Sequence, residues 1–413
     1  MVVSPPTSVL LQAIFLIRQS PQSLAARSLV FVQAIWRHGD RAPQSLPYPN
    51  DPYDETAWQR GWGQLTNMGM EQMNELGIYF RTRYDFFISS HYVPSEVYIR
   101  SSDSDRALTS AQAFLAGFYP ASGSFQWQSG NHWQPIAVHA SSPGEPDLLL
   151  KPTSVPCKNL NKLVDEDYEK QARYFGAHYA EMFKLLGEQT GIANFSYTYI
   201  SQINDVTREL IHNMTEKQPP WIFKRWPQYN DRSTLDIITE LRRIQRITKF
   251  NSTAKATVSF IIHDGTLLSL MYAMGVANDQ LVPYASSFIM EIYENESNFE
   301  IELLFRNDTA KPPYPLPIAG CEIPCPVEKL TKLTHNKLVT NYEEHQAAFH
   351  GIVELPDLSA ISLKSALNEM VGQPMLPPLF LVVGVTVILG LSVFTQDSNS
   401  QTAGMNLLQP ESS

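Results

Sequence analysis

The stretch Leu29-Val30-Phe31-Val32-Gln33-Ala34-Ile35-Trp36-Arg37-His38-Gly39-Asp40-Arg41-Ala42-Pro43 passes in one step from an apolar run to a charged cluster. Leu29 to Trp36 is nearly all apolar and rich in β-branched and aromatic residues, which predicts a strand buried on both faces inside an α/β sheet. Arg37 and His38 then stand at its carboxyl end, where open α/β sheets hold their ligands. Two guanidiniums and an imidazole within five residues make an anion site with a nucleophile in it.

Working outward, Pro47 to Asp54 is rich in proline and turn formers and reads as a loop that can rim the site. Thr66 to Phe87 carries apolar residues at helical spacing, with Thr66 as N-cap. Glu96 to Arg100 reads as a short strand, and Ser101-Ser102-Asp103 as the cap of a helix that runs through Ala116 with Arg106 in its first turn. This repeats the strand, loop, helix order of the first motif, so Arg106 can reach the same crevice. Residues 118–250 read as a mostly helical insertion, with helical patterns near Tyr168 to Glu188 and Ser233 to Ile247. Ala256 to Ile262 returns to strand character, ends in His263-Asp264-Gly265-Thr266 and leads into an apolar helix through Met274. Phe288 to Tyr293 and Phe299 to Phe305 read as antiparallel edge strands joined by the turn Glu294 to Asn298.

The 413 residues, 43% of them hydrophobic, suffice for one large or two modest domains. A net charge of −10 and a pI near 5.5 argue against nucleic-acid binding, which needs a basic face. The motif arginines must then act locally. At the amino end, Val9 to Ile17 is apolar and Ser23 and Ala25 suit cleavage after Ala25, so residues 1–25 read as a secretory signal, the alternative being a plain disordered terminus. Near the carboxyl end no charge falls between Met370 and Gln396, and Leu376 to Phe394 as a helix would span roughly 28 Å, about one bilayer core. Sequons at Asn194, Asn213, Asn251, Asn295 and Asn307 all lie on one side of that span, as in a lumenal or extracellular domain of a type I membrane protein. Cys321 and Cys325, with Pro324 between them, have a spacing that a tight loop can bridge. Cys157 is left over, either a buried inert thiol or, if exposed, a site for intermolecular pairing, and its apolar neighbours favour burial.

The strand ends thus deliver Arg37, His38 and Arg41, then Arg106, then His263 and Asp264. A phosphate monoester needs several fixed donors around its oxygens, and arginine forks match them. His38 can act as nucleophile and form a phosphohistidine, and Asp264 can protonate the leaving oxygen. With the arginines supplying charge stabilisation, no metal or cofactor is required. Each residue also has an ordinary reading: His38 as a hydrogen-bonded strand-end residue, Asp264 as a turn former before glycine, Arg106 as an ion-pair partner of Asp103 and Asp105.

These motifs resemble those of the histidine acid phosphatase family. The likeness extends to Gly63-Gln64-Leu65-Thr66, Val97-Tyr98-Ile99-Arg100-Ser101 with Asp105-Arg106, Trp133-Gln134-Pro135-Ile136, Pro283-Tyr284-Ala285-Ser286 and the Gly320-Cys321 to Cys325-Pro326 loop, which look like the prostatic and lysosomal branch. The resemblance implies a phosphoglycerate-mutase-like α/β fold: a central mixed, mainly parallel sheet flanked by helices, with a smaller helical domain inserted at about 134–250. The catalytic domain would cover 29–345, followed by a stalk at 346–375, a transmembrane helix at 376–394 and a short tail at 395–413. It also implies a covalent intermediate on His38, phosphate held by Arg37, Arg41, Arg106 and His263, and Asp264 as proton donor. The substrate would be a small phosphomonoester or phosphoprotein, hydrolysed at acid pH, often by a homodimer, in a lysosome or at a cell surface. Three departures stand out. Gly265 replaces the family's usual Thr, Arg208 and Ser287 stand where a cysteine pair is expected, and Cys157 lacks its partner near Tyr342. Two rival readings are a phytase or inositol-polyphosphate phosphatase of the same superfamily and a catalytically silent membrane glycoprotein that uses the fold for binding.

Overall fold

The computed structural model describes residues 27–145, 147, 150, 158–255, 265–296, 298–334 and 379–383. Its centre is strand β1 (Ser28–Trp36), buried from Phe31 to Ile35. Strand side chains alternate between faces, so Phe31 and Ile35 enter one core while Val32 and Ala34 enter another. Among the described residues, β2 (Val97–Arg100) runs parallel to β9 (Leu379–Val383), which runs parallel to β1. On its other side β1 pairs antiparallel with β5 (Ser287–Asn295), Trp36 lying opposite Ser287. β5 pairs antiparallel with β6 (Asn298–Arg306), which also takes β7 (Tyr314–Pro315) and β8 (Cys325–Pro326) antiparallel. A separate ribbon joins β3 (Arg225–Trp226) to β4 (Arg232–Ser233).

The sheet is mixed and flanked by helices as expected, although its antiparallel share is larger than a mainly parallel sheet would have. One correction follows from this pairing. β5 is an interior strand, bonded on both sides and buried from Ser287 to Ile292. An interior position is set by backbone pairing on both sides, which the residues of the strand itself do not specify.

Helices α1 (Asn67–Arg83) and α2 (Asp105–Phe118) cover one face of the sheet, burying Phe80, Phe114 and Phe118 against Val32 and Ile289. Trp36 stacks on Phe114 at 4.3 Å, which pins the end of β1 to α2. α1 begins at the expected cap, Thr66, whose hydroxyl accepts from the Gly69 N–H at 3.0 Å. α2 starts one residue later than its sequence signal, with Ser104 at the N-cap, and still holds Arg106 in its first turn. The opposite face carries α8 (Gly265–Ala273) and α9 (Val327–Thr334), which pack on Phe288, Met290 and Phe305.

The insertion is helical: α3 (Lys158–His178), α4 (Ala180–Thr190), α5 (Ile200–Ile203), α6 (Val206–Ile211) and α7 (Thr234–Lys255). They have their own core, built on Met182, Leu186, Trp221, Ile237 and Leu241, into which Tyr48 of the rim loop inserts. The helical pattern expected from Tyr168 to Glu188 is divided between α3 and α4 at Tyr179.

Cys321 and Cys325 form the expected disulfide, with Cα atoms 5.5 Å apart. Over the described part of the expected span, Leu379–Val383, the chain is a strand and not a helix. A run without charges can be covered on both faces of a sheet as readily as it can cross a bilayer. Among the described residues no helix is long and apolar enough to cross a membrane. The rest of 376–394, the signal, the stalk, the tail, Cys157 and the segment 256–264 with His263 and Asp264 lie outside the described residues.

Candidate active site

Because β1 and β2 run in the same direction, their carboxyl ends open on one edge of the sheet. Beyond β1 the chain is clamped by backbone bonds. The Arg37 N–H donates to Ser286 O at 3.0 Å, and the Ala285 N–H donates to His38 O at 3.2 Å. On the other side the turn meets α1 backbone to backbone. A Cβ on Gly39 would lie 2.2 Å from Gly69 O, and one on Gly69 would lie 2.1 Å from Asp40 O, so neither glycine can carry a side chain here. The Gly39 N–H donates to the Ser110 hydroxyl of α2 at 3.2 Å. His38 is thereby fixed from three elements.

The cavity at this edge, about 70 Å³, is lined by Arg37, His38, Arg100, Arg106, Ser102 and Thr266 among others. Among the described residues no Asp or Glu lines it. His38 Nδ1 lies 2.7 Å from Gly39 O, and a carbonyl can only accept, so Nδ1 carries a proton, and in the neutral imidazole Nε2 keeps its lone pair. That nitrogen lies 3.4 Å from Arg106 Nε. Arg37 donates to Val282 O and stacks 3.9 Å above the Tyr284 ring. A lone-pair nitrogen set among guanidiniums suits an incoming anion with an electrophilic centre.

Arg41 is placed differently from Arg37 and Arg106. It is not among the residues lining the cavity, and its guanidinium bonds Asp205 at 3.3 Å and Ala42 O at 2.7 Å.

Asp40, overlooked as a site residue, is 1% exposed and takes three donors: Arg208 at 3.0 Å, His212 at 2.6 Å and Thr66 at 2.8 Å. Burial pushes its carboxyl up, but the bonds from His212 and Thr66 and the Arg208 charge outweigh this and hold it below the usual carboxylate range. The Asp40 charge therefore persists through mildly acid pH. Arg208, at the position where the family resemblance implied a cysteine, also lies 4.8 Å from the Tyr284 ring. Its expected partner position, Ser287, is fully buried. The available signal was that Asp40 sits inside the motif itself, and that Arg208 is a departure from the family pattern.

α8 begins one residue after Asp264, and Thr266 lines the cavity with a buried hydroxyl that has no partner among the described residues.

A sequence profile described as the histidine phosphatase superfamily, branch 2, matches residues 28–235. This chain belongs to that superfamily. Lysosomal acid phosphatase of Homo sapiens is 35% identical over 348 residues, which cover 77% of this chain and 80% of that protein. Prostatic acid phosphatase of Mus musculus is 33% identical over 332 residues, 75% of this chain and 86% of that protein. The apo phytase of Hafnia alvei, at 14% identity, superposes with a TM-score of 0.54 over 76% of this chain and 98% of that one, a likeness of fold alone. The histidine phosphatase described here is thus a hydrolase with phosphatase function.

Proposed function

We propose that this histidine phosphatase is an acid phosphatase that hydrolyses phosphate monoesters through a covalent intermediate on His38. The observation that carries the reading is the tautomer: Nδ1 is committed to Gly39 O, and Nε2 stands in the cavity beside Arg106. Nε2 attacks phosphorus as the ester bond to the leaving oxygen breaks. Asp264 gives its proton to that oxygen, and water then cleaves the phosphohistidine. Arg37 and Arg106, with His263, hold the phosphoryl oxygens, and Arg41, paired with Asp205, adds its charge from outside the cavity lining. The start of α8 at the cavity supports the place of Asp264 in this scheme, since Gly265 and Thr266 follow it directly.

The rim loop Pro47 to Asp54 holds Asp51, Asp54, Tyr48 and Tyr53 and no Lys or Arg. This favours a substrate with one phosphate over a hexakisphosphate, which would want a basic rim. The purified protein is expected to turn over p-nitrophenyl phosphate at acid pH with a higher kcat/KM than inositol hexakisphosphate. The reverse order would favour a phytase, and a folded protein that hydrolyses neither would be a binding glycoprotein.

The chain organisation belongs to the same proposal: a catalytic domain from residue 29 whose sheet includes β9, the insertion at about 134–250, and a lumenal or extracellular active site. The sequons, of which Asn194 and Asn213 are exposed, support that placement. Truncation before Gly372 removes β9 and is expected to abolish folding and secretion. A secreted, active, glycosylated enzyme from that truncation would instead make residues 376–394 a membrane span.

A further inference from the structure

The helix α6, only six residues long, holds the catalytic loop from below. Arg208 and, just past its end, His212 bind Asp40, while Asp205, just before it, accepts from Arg41 and from the Gln44 N–H at 3.2 Å. A helix so short is not stable by itself, so what anchors it decides whether this grip persists.

Val206 packs into the core of the insertion, and the polar anchor of α6 is Glu209, which is fully buried and meets Asp51 of the rim loop carboxyl to carboxyl. The outer oxygens of the two groups are satisfied. Asp51 Oδ1 accepts from the Tyr53 N–H at 2.9 Å, and Glu209 Oε2 accepts from the Gln218 amide at 2.5 Å. Their other oxygens, Asp51 Oδ2 and Glu209 Oε1, are both buried, and among the described residues no N–H or O–H reaches either. Two carboxylates in that position would repel, but one proton between them turns the contact into a hydrogen bond.

We propose that Asp51 and Glu209 share a proton and so form an acid-closed latch, which locks α6 to the rim loop and makes Arg208 and His212 positioning residues for the His38 loop. Tyr48 lies beside both carboxyls from the rim loop and Asp205 beside Glu209 from the entry to α6, and neither is a cation. The cations of α6 and its end, Arg208 and His212, are engaged by Asp40. Lys217 lies over the Tyr53 ring at 5.9 Å, and no ion pair joins it to either carboxyl among the described residues.

Burial above all pushes Glu209 up to about 8, helped by the charges of Asp51 and Asp205, and burial pushes Asp51 up to about 6. Both folded values exceed the unfolded ones, so the native state binds more protons than the unfolded chain. The stability from the pair is complete below the unfolded carboxylate values and is lost as pH rises through about 6 and then about 8. Above that the latch opens, and α6 loosens its hold on Asp40 and Arg41.

The test reads structure and not turnover, so it stands apart from the reaction assigned above. Glu209→Gln replaces the shared proton with a permanent amide donor to Asp51. Wild-type Tm is expected to fall between pH 5 and 8.5, and Glu209→Gln to reduce that fall by several degrees, on the order of 5 °C. Asp51→Asn, with the donor on the opposite side, should behave alike. In the wild type, amide hydrogen exchange of Val206 to Ile211, corrected for its intrinsic pH dependence, should lose protection above pH 8 while Ala180 to Thr190 does not. If exchange in the two helices changes together, or if a folded variant keeps the full wild-type pH slope, the latch does not exist. The exchange comparison decides the matter even if neither variant folds.

Discussion

His38→Ala is expected to lower turnover on the order of 10⁵-fold or more, the scale of loss when a covalent nucleophile is removed, with the fold intact. The side chain's own contribution to stability is small. The His38 carbonyl keeps its bond from the Ala285 N–H in the variant, while the contacts of its ring with Gly39 O, Arg106 and the Tyr284 ring at 5.4 Å are lost. Rapid-quench mixing with a radiolabelled phosphomonoester should trap an acid-labile, base-stable phosphoryl group on the wild type and none on the variant. Near-normal turnover in the variant, or a wild type that never labels, would remove His38 from the covalent step. A change in the thermal transition of more than a few degrees would instead indicate a structural defect.

The second large effect is at Asp264. A general acid must be protonated to act, so turnover should fall as pH rises through its pKa in the bound state, giving an acidic optimum. Asp264→Asn should cost roughly 10²- to 10⁴-fold for alkyl phosphates, whose leaving oxygens need the proton. Aryl phosphates such as p-nitrophenyl phosphate leave as weaker bases and should suffer far less. An equal loss for both classes would mean that Asp264 contributes by binding or folding and not by proton transfer.

How much of this was legible follows the range of the forces involved. β1 and the start of α1 could be placed because an apolar run and the Thr66 cap are local signals, written within a few residues of the structure they specify. Arg106 could be placed in the first turn of α2 for the same reason. β5 was assigned to an edge because a strand's own sequence does not name its neighbours. Its pairing with β1 joins Trp36 to Ser287, far along the chain. Leu379–Val383 shows the same limit, since an uncharged run satisfies a bilayer and a buried sheet position alike.

From the sequence alone came the candidate His38 site, because its imidazole, Arg37, Arg41 and the strand end that presents them lie within a few neighbouring residues. Tertiary structure decided which cations do what. It turned Arg37 and Arg106 toward the cavity and Arg41 toward Asp205, although periodicity treats all three alike. It also brought Arg208 and His212 onto Asp40 across separations of 168 and 172 residues, and set Glu209 against Asp51 in the core of the insertion. Side-chain direction and the identity of a distant partner depend on how whole elements pack, and a pattern read along one segment carries neither.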